Sequence, residues 1–301
     1  MASERMAYIN GKIVPESQAT VSIRDRGFLQ GDAVFDTTRT FGGKIFRLDE
    51  HLDRFYQSLK YMRIDPGIPK ARMAELTMEV LNANLPLLGE KDDFWVSQRV
   101  TRGVNVDGVN VPTVIIECAP LPFKARAAYY RDGMPVIVPS VRRTPPEAHS
   151  PRAKVHNYVN LIQADLEVKA QNPQGWPILL DMNGNLAEGP GSNIFVVKDG
   201  TLITPREQMI LSGISRRVAI ELAQELGITV QEADIDLFDA YTADEAFVTS
   251  TSFCICPVSS FNGSPVGDGG VPGPMTDRLT RAYSGLVGID VVDQYLSRLD
   301  D

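Results

Sequence analysis

Residues 150–170 read SPRAKVHNYVNLIQADLEVKA, and in them Lys154 stands just ahead of apolar residues at helical spacing: Val155, Tyr158, Val159, Ile162 and Leu166. The spacing predicts a buried helix that begins at this lysine. A cation gains nothing there, because the free N–H groups of a helix start carry partial positive charge and favour carboxylates and hydroxyls. Lysines are ordinarily solvated. One that is partly desolvated in a cleft, however, loses proton affinity, and its neutral amine attacks aldehydes to form a Schiff base.

Two further groups of residues extend that chemistry. In NLAEGPGSNIFVV, Glu188 precedes two glycines and the entry into an apolar strand. Glutamate is depleted in strands, so it is either a loop residue facing water or a buried anion held for a cationic partner. The Gly-Pro-Gly beside it lacks the spacing of a dinucleotide fingerprint. In LSGISRRVAIELAQELG, Gly213, Ile214 and Ser215 fall at a helix N-terminus, where free N–H groups attract phosphate. The hydroxyl run Thr249, Ser250, Thr251, Ser252 and the arginine of EHLDRF, Arg54, offer more anion contacts. Each alone has an ordinary reading as a cap or a solvated side chain. Together, an amine, a carboxylate and a phosphate cradle match what pyridoxal phosphate requires. Its aldehyde bonds a lysine, its ring nitrogen needs an anion to stay protonated, and its phosphate needs donors.

The elements that must position these residues are legible in outline. Asn10-Gly11 within AYINGKIV predicts a hairpin, and AVFDTTRTFGGKIFRL predicts another, turning at Gly42-Gly43. DEHLDRFYQSLKYMRI predicts a helix with an Asp cap and Leu52, Phe55, Leu59 and Met62 on one stripe; PKARMAELTMEVLNANL predicts a second. DFWVSQRVTRG and PTVIIECAPLP read as strands. Residues 1–120 are expected as a small N-terminal α/β domain, 121–134 as an interdomain loop without periodicity, and 135–301 as a large C-terminal domain. A cleft at such a junction is a favoured ligand site. The C-terminal part carries the strands MPVIVPSV, PILLDM, NIFVVK, TLIT and EAFVTS. A helix at about 214–226 places Val218, Leu222 and Leu226 on one stripe and stops at Gly227. A final helix follows the Gly/Pro-rich loop 263–274.

The 301 residues carry a formal net charge of −8, with 43% hydrophobic and 23% charged side chains. Such a balance argues against nucleic acid or an anionic membrane as partner and favours a small molecule. Three cysteines, Cys118, Cys254 and Cys256, cannot all pair. With no apolar leader segment and no run long enough to span a bilayer, they point to a reducing, cytoplasmic setting. The three histidines are scattered, so no metal site is expected.

Taken in order, K-x-x-N from Lys154 to Asn157, AEGPGSNIF, VKDG, the TP of LITP, GISR and ADE resemble the class-IV, or fold-type IV, pyridoxal-phosphate aminotransferases. That group includes branched-chain amino acid aminotransferases, D-amino acid aminotransferases, (R)-selective amine transaminases and aminodeoxychorismate lyases. The resemblance runs from about Tyr8 to the final helix. It implies a mixed α/β (α+β) two-domain fold, with a small N-terminal domain and a larger C-terminal pseudo-barrel domain that binds the cofactor.

Position by position, the resemblance makes Lys154 the Schiff-base lysine and Glu188 the partner of the ring nitrogen. It gives the phosphate to Arg54, Gly213, Ile214, Ser215 and Thr251. Tyr158 lies one residue short of the tyrosine that branched-chain enzymes place by the ring's phenolic oxygen, and K-x-x-N is closer to the D-amino acid and lyase branches. The substrate pocket would draw on Gln30 and Phe35, with a loop lent by a second subunit, on Trp95, Ser97 and Arg99, and on Thr251 and Ser252. Either Arg99 or Arg39 would meet a substrate carboxylate. The implied activity is ping-pong transfer of an amino group to an α-keto acid in at least a homodimer. VTRG and VGDGGVPGP lean toward (R)-amine transaminases, and AEGPGSNIFVVKDGTLITP toward branched-chain enzymes. D-amino acid aminotransferase and aminodeoxychorismate lyase remain the alternatives within the cofactor class, and a non-catalytic binder of a phosphorylated metabolite the alternative outside it.

Overall fold

The computed structural model describes residues 4–299. The chain divides into two compact units. One runs to Leu121 and takes in Ala153–Asn157; the other holds Pro122–Arg152 and the chain from Tyr158 onward.

The first unit is an antiparallel sheet covered by helices. Its elements are β1 (Met6–Ile9), β2 (Lys12–Pro15), α1 (Arg26–Gln30), β3 (Ala33–Phe41), β4 (Lys44–Ile45), α2 (Leu48–Met62), α3 (Lys70–Asn84), β5 (Phe94–Val106) and β6 (Val109–Pro120). The strand order is β2-β1-β6-β5-β3-β4. The first hairpin turns at Asn10 (φ 45°) and Gly11 (φ 93°), the left-handed pair that an Asn-Gly dipeptide supplies at little strain. Alternation along the strands sends Val34, Val96, Val100, Val114 and Ile116 to one face. There they pack with Leu52, Phe55 and Leu59 of α2 and Met73, Leu76 and Val80 of α3. Between β5 and β6 the register shifts after Thr101, and Gly103 (φ 76°) sits in the irregularity. A Cβ there would fall 1.6 Å from the Val111 carbonyl oxygen.

The second unit is built on a mixed nine-stranded sheet. Its elements are α4 (Phe123–Asp132), β7 (Met134–Ile137), α5 (Val159–Gln171), β8 (Trp176–Pro177), β9 (Glu188–Gly189), β10 (Ser192–Lys198), β11 (Thr201–Pro205), α6 (Ile214–Glu225), β12 (Val230–Ala233), α7 (Leu237–Tyr241), β13 (Glu245–Ser250), β14 (Cys254–Phe261), β15 (Ser264–Pro265), α8 (Pro274–Val287) and α9 (Val291–Leu296). The order β12-β11-β10-β13-β14-β7-β8 is extended by β9 on β10 and β15 on β14. Phe195 and Phe247, opposite one another on β10 and β13, stack with centroids 4.8 Å apart. The helix expected at 214–226 forms as α6, burying Val218 and Leu222, with Gly227 (φ 71°) just past its end.

Several expectations need correction. The helix expected to begin at Lys154 begins at Val159; Val155 instead bridges Val34 of β3, a long-range partner that suits a β-branched residue. The apolar stripe assigned to its buried face is outside: Val159, Ile162 and Leu166 are 66%, 50% and 65% exposed, and Leu161, Ala164 and Val168 are the buried residues. The stretch expected as an interdomain loop holds α4, whose Ala, Lys and Arg content favours helix and which buries Phe123, Ala127, Tyr129 and Tyr130. The expected Asp cap of α2 gives way to Arg47 in left-handed conformation (φ 51°), with Asp49 and Glu50 inside the first turn. The segment PILLDM is regular strand in no residue beyond Pro177, apart from a single bridge between Leu180 and Leu186.

Candidate active site

In the first unit, Lys154 is held by its main chain. Its carbonyl accepts from the Phe35 N–H at 3.1 Å, and its own N–H donates to the Ser58 hydroxyl at 3.1 Å. Next to it, the His156 N–H donates to the Ala33 carbonyl at 3.0 Å. The segment is thus an added strand along β3, placed by pairing and not by a helix. The Lys154 Nζ lies 4.5 Å from the centroid of the Phe35 ring, over its face. An ammonium there is worth about 0.5–2 kcal/mol, depending on desolvation.

The Ser58 hydroxyl that accepts from Lys154 also donates to the Arg54 carbonyl at 2.9 Å. Arg54 is buried, and Asp36 of β3 accepts from its Nε at 2.8 Å and its Nη2 at 2.7 Å. His51, one turn earlier on α2, places Nδ1 2.7 Å from the same carboxylate. Burial raises the Asp36 pKa, but Arg54 and His51 together outweigh it and hold the carboxyl well below the usual range. The His51 pKa is lowered as well: burial is the largest cause, Asp36 opposes it, and the cations Arg54 and Lys154 lower it further. A neutral His51 beside an ionised Asp36–Arg54 pair is the arrangement that follows.

The remaining first-unit residues share the other face of the sheet. β3 and β5 pair Phe35 with Arg99, Thr37 with Ser97 and Arg39 with Trp95. Arg99 gives Nε and Nη2 to Glu117 at 3.0 and 2.8 Å and lies 5.2 Å from the Phe35 centroid. Ser97 exchanges a hydrogen bond with Thr37 at 2.9 Å. Lys154, Phe35, Ser97 and Arg99 are therefore neighbours in fact as well as in motif. Gln30, the last residue of α1, is exposed. Arg39 is fully buried against Phe41 and lies 3.5 Å from Asp93, which makes it part of the packing.

In the second unit, Glu188 is buried and each of its oxygens has a donor. Arg143 Nε donates to Oε1 at 2.9 Å, and the Leu211 N–H donates to Oε2 at 2.9 Å. Leu211 is two residues ahead of Gly213, the N-cap of α6, where no side chain caps the helix. The first-turn N–H groups of Ile214 and Ser215 consequently have no acceptor within the helix. Glu188, Asn193 and Thr249 stand directly opposite one another across β9, β10 and β13, so their side chains share a face.

After β13, Ser252 is buried and accepts from Arg126, whose guanidinium lies 4.4 Å from the Phe253 centroid; Ser250 and Ser252 hydroxyls are 3.2 Å apart. Thr251 lies between them, half-buried. Tyr158 packs against Leu161, Ala164 and Leu179, and the Leu179 N–H donates to the Glu188 carbonyl at 3.0 Å. The motifs singled out Lys154, Glu188 and Arg54, but not the residues that contact them, Ser58, Asp36, His51 and Arg143, nor Asn193, which donates to the carbonyl of Leu211 beside Glu188. Of these, Asn193 stood inside AEGPGSNIF and His51 inside EHLDRF, with no spacing to give them roles.

Residues 33–261 match the family model described as amino-transferase class IV. The chain belongs to this family. It is 32% identical over 303 residues to the branched-chain-amino-acid aminotransferase of Escherichia coli K12, covering 98% of this chain and 97% of that one. A Methanocaldococcus jannaschii protein with a provisional branched-chain-amino-acid aminotransferase name is 38% identical over 296 residues, covering 95% and 99%. Among solved structures, the Escherichia coli branched-chain enzyme superposes with TM-score 0.85 at 31% identity, covering 95% of both chains. The T.th. branched-chain enzyme with pyridoxamine 5'-phosphate superposes with TM-score 0.85 at 29% identity, covering 98% of both. The fold is that of the fold-type IV enzymes, the activity is transamination, and the cofactor is pyridoxal phosphate.

The residues present fit that cofactor. In one unit a lysine amine, and in the other a buried carboxylate and an uncapped helix start, are the kinds of group that would serve as its nucleophile, anion and phosphate donors. The Thr249 hydroxyl oxygen, in the row of Glu188 and Asn193, is buried and finds no hydrogen-bond partner among the described residues.

Proposed function

We propose that the chain is a branched-chain-type aminotransferase that moves the amino group of an amino acid to an α-keto acid by a ping-pong cycle. The observation that carries this reading is the seat of Lys154, an amine over the Phe35 ring with its main chain fixed by Phe35 and Ser58. When bound, the cofactor supplies a conjugated electron sink for charge developing on the substrate α-carbon. Lys154 would hold the cofactor through its amine, and that amine would move the proton of the substrate carbon. Glu188 keeps a proton on the ring nitrogen. Its two hydrogen bonds, from Arg143 and Leu211, stop the carboxylate from rotating away. Ile214, Ser215 and Thr251, with Arg54, bind the phosphate, and Tyr158 orients the ring oxygen. Phe35, Ser97, Trp95 and Gln30 shape the substrate side, together with Thr251 and Ser252.

An (R)-amine donor is the second reading. It is favoured by Arg99, whose guanidinium is already engaged by Glu117 and so offers less to a donor carboxylate. A homodimer belongs to the same proposal, supported by Phe28 and Leu29, which are exposed at the start of the stretch that the resemblance ties to a loop shared between subunits. So does a cytoplasmic setting, supported by three buried cysteines that form no disulfide among the described residues. Spectral half-reactions with L-leucine, D-alanine and (R)-1-phenylethylamine test the reading. Bleaching of the yellow enzyme by L-leucine is expected and should be absent in Lys154→Ala; conversion by D-alanine alone would overturn it. Parallel initial-rate lines test the ping-pong order, and light scattering tests the dimer.

A further inference from the structure

Leu211 is gripped from both sides. Its N–H donates to Glu188 Oε2 at 2.9 Å, and its carbonyl accepts from Asn193 Nδ2 at 3.0 Å. Asn193 is buried and stands opposite Glu188 across β9 and β10, so the two side chains that hold Leu211 start from adjacent positions on one rigid sheet. The other end of the Asn193 amide lies against Gly213: a Cβ on that glycine would fall 2.1 Å from Asn193 Oδ1. Gly213 has φ −64°, which any residue adopts, so its lack of a side chain serves this close approach and not a special backbone. The amide therefore touches both ends of the three-residue stretch 211–213 that leads into α6.

We propose that Asn193 is a positioning residue for the cofactor's phosphate: it fixes where the first turn of α6 begins. This rests on the reading of Gly213, Ile214 and Ser215 as the phosphate cradle. A helix start binds an anion through several N–H groups aimed at one point, so the loop that delivers the helix must not drift. Without the Asn193 amide, the Leu211 carbonyl loses its donor and only the Glu188 contact remains. Asn193→Asp keeps the shape but turns an acceptor toward the Leu211 carbonyl oxygen, which drives the loop away.

The test is equilibrium titration of apoenzyme with pyridoxal phosphate and with pyridoxal, which lacks the phosphate, for wild type, Asn193→Ala, Asn193→Asp and Gly213→Ala. Each variant is expected to bind pyridoxal phosphate about tenfold or more weakly while pyridoxal binding changes by less than about threefold. Asn193→Asp apoenzyme should melt below the wild type, since a buried carboxylate then faces the Leu211 carbonyl, and Asn193→Ala should add little further loss to Gly213→Ala, since both disturb one contact. An unchanged ratio of the two affinities in the Asn193 variants overturns the assignment, whether both fall together or neither moves. If wild type itself holds pyridoxal as tightly as pyridoxal phosphate, it is the cradle reading that fails.

Discussion

The Lys154 N–H donates to the Ser58 hydroxyl, and that hydroxyl donates in turn to the carbonyl of Arg54 one turn earlier on α2. One oxygen thereby ties the main chain of Lys154 to the helix that carries Arg54. Ser58→Ala removes an acceptor from a main-chain N–H and is expected to lower stability by about 1–3 kcal/mol. Thermal melting should register that loss, with kcat falling several-fold as the amine's seat loosens. A variant with wild-type melting and wild-type kcat would remove Ser58 from the lysine seat.

Asp36→Asn leaves the buried Arg54 guanidinium without its carboxylate. Breaking one side of a buried pair costs about 3–5 kcal/mol, far more than an exposed pair would. We expect a large drop in denaturant midpoint and weaker cofactor retention on gel filtration. A loss under about 1 kcal/mol would mean that water reaches the pair.

Glu188→Gln keeps the volume but removes the anion. Cofactor should remain bound at saturating concentration while kcat falls by about a hundredfold or more, since a neutral amide does not hold the ring nitrogen protonated. Stopped-flow absorbance of the L-leucine half-reaction reads this step alone. Turnover within about threefold of wild type would dismiss the ring-protonation role.

His156 sets a pH dependence. Burial, and then the Arg99 cation, bring its pKa down to about 4 from an ordinary 6.5. The unfolded chain therefore binds more protons between those values, and stability falls as pH drops from about 6.5 to about 4, by about 3 kcal/mol at most. His51, lowered by its own burial, acts in the same sense. Melting the holoenzyme at about pH 7.5 and about pH 5 should show a smaller acid loss in His156→Gln than in wild type. Equal losses would place the titration elsewhere.

The sheets, the hairpins and the amphipathic helices were readable because local chemistry decides them: Asn10-Gly11 accepts positive φ, and Leu52, Phe55 and Leu59 fall on one side of one helix. The start of α5 was not, because Val155 takes a partner 121 positions away in Val34, which no local pattern records. Its buried face was misread for a related reason. Apolar residues occupy both sides of that helix, so periodicity alone could not choose between Val159–Ile162–Leu166 and Leu161–Ala164–Val168. At the candidate site, Lys154, Glu188 and Arg54 stood out by residue type, whereas the side chains that contact them did not. Asp36, Ser58 and Asn193 work through pairings that only folding creates.

The Lys154 strand has a consequence for the order of synthesis. Ala153–Asn157 is grouped with the chain before Leu121, although the residues on either side of it belong elsewhere. A polypeptide released before that point carries Phe35 and Ser58 with nothing to seat, and a fragment starting after Leu121 carries the amine with no β3 to receive it. Neither product alone sets the amine over the Phe35 ring, so this seat forms only in a chain that holds both β3 and Ala153–Asn157.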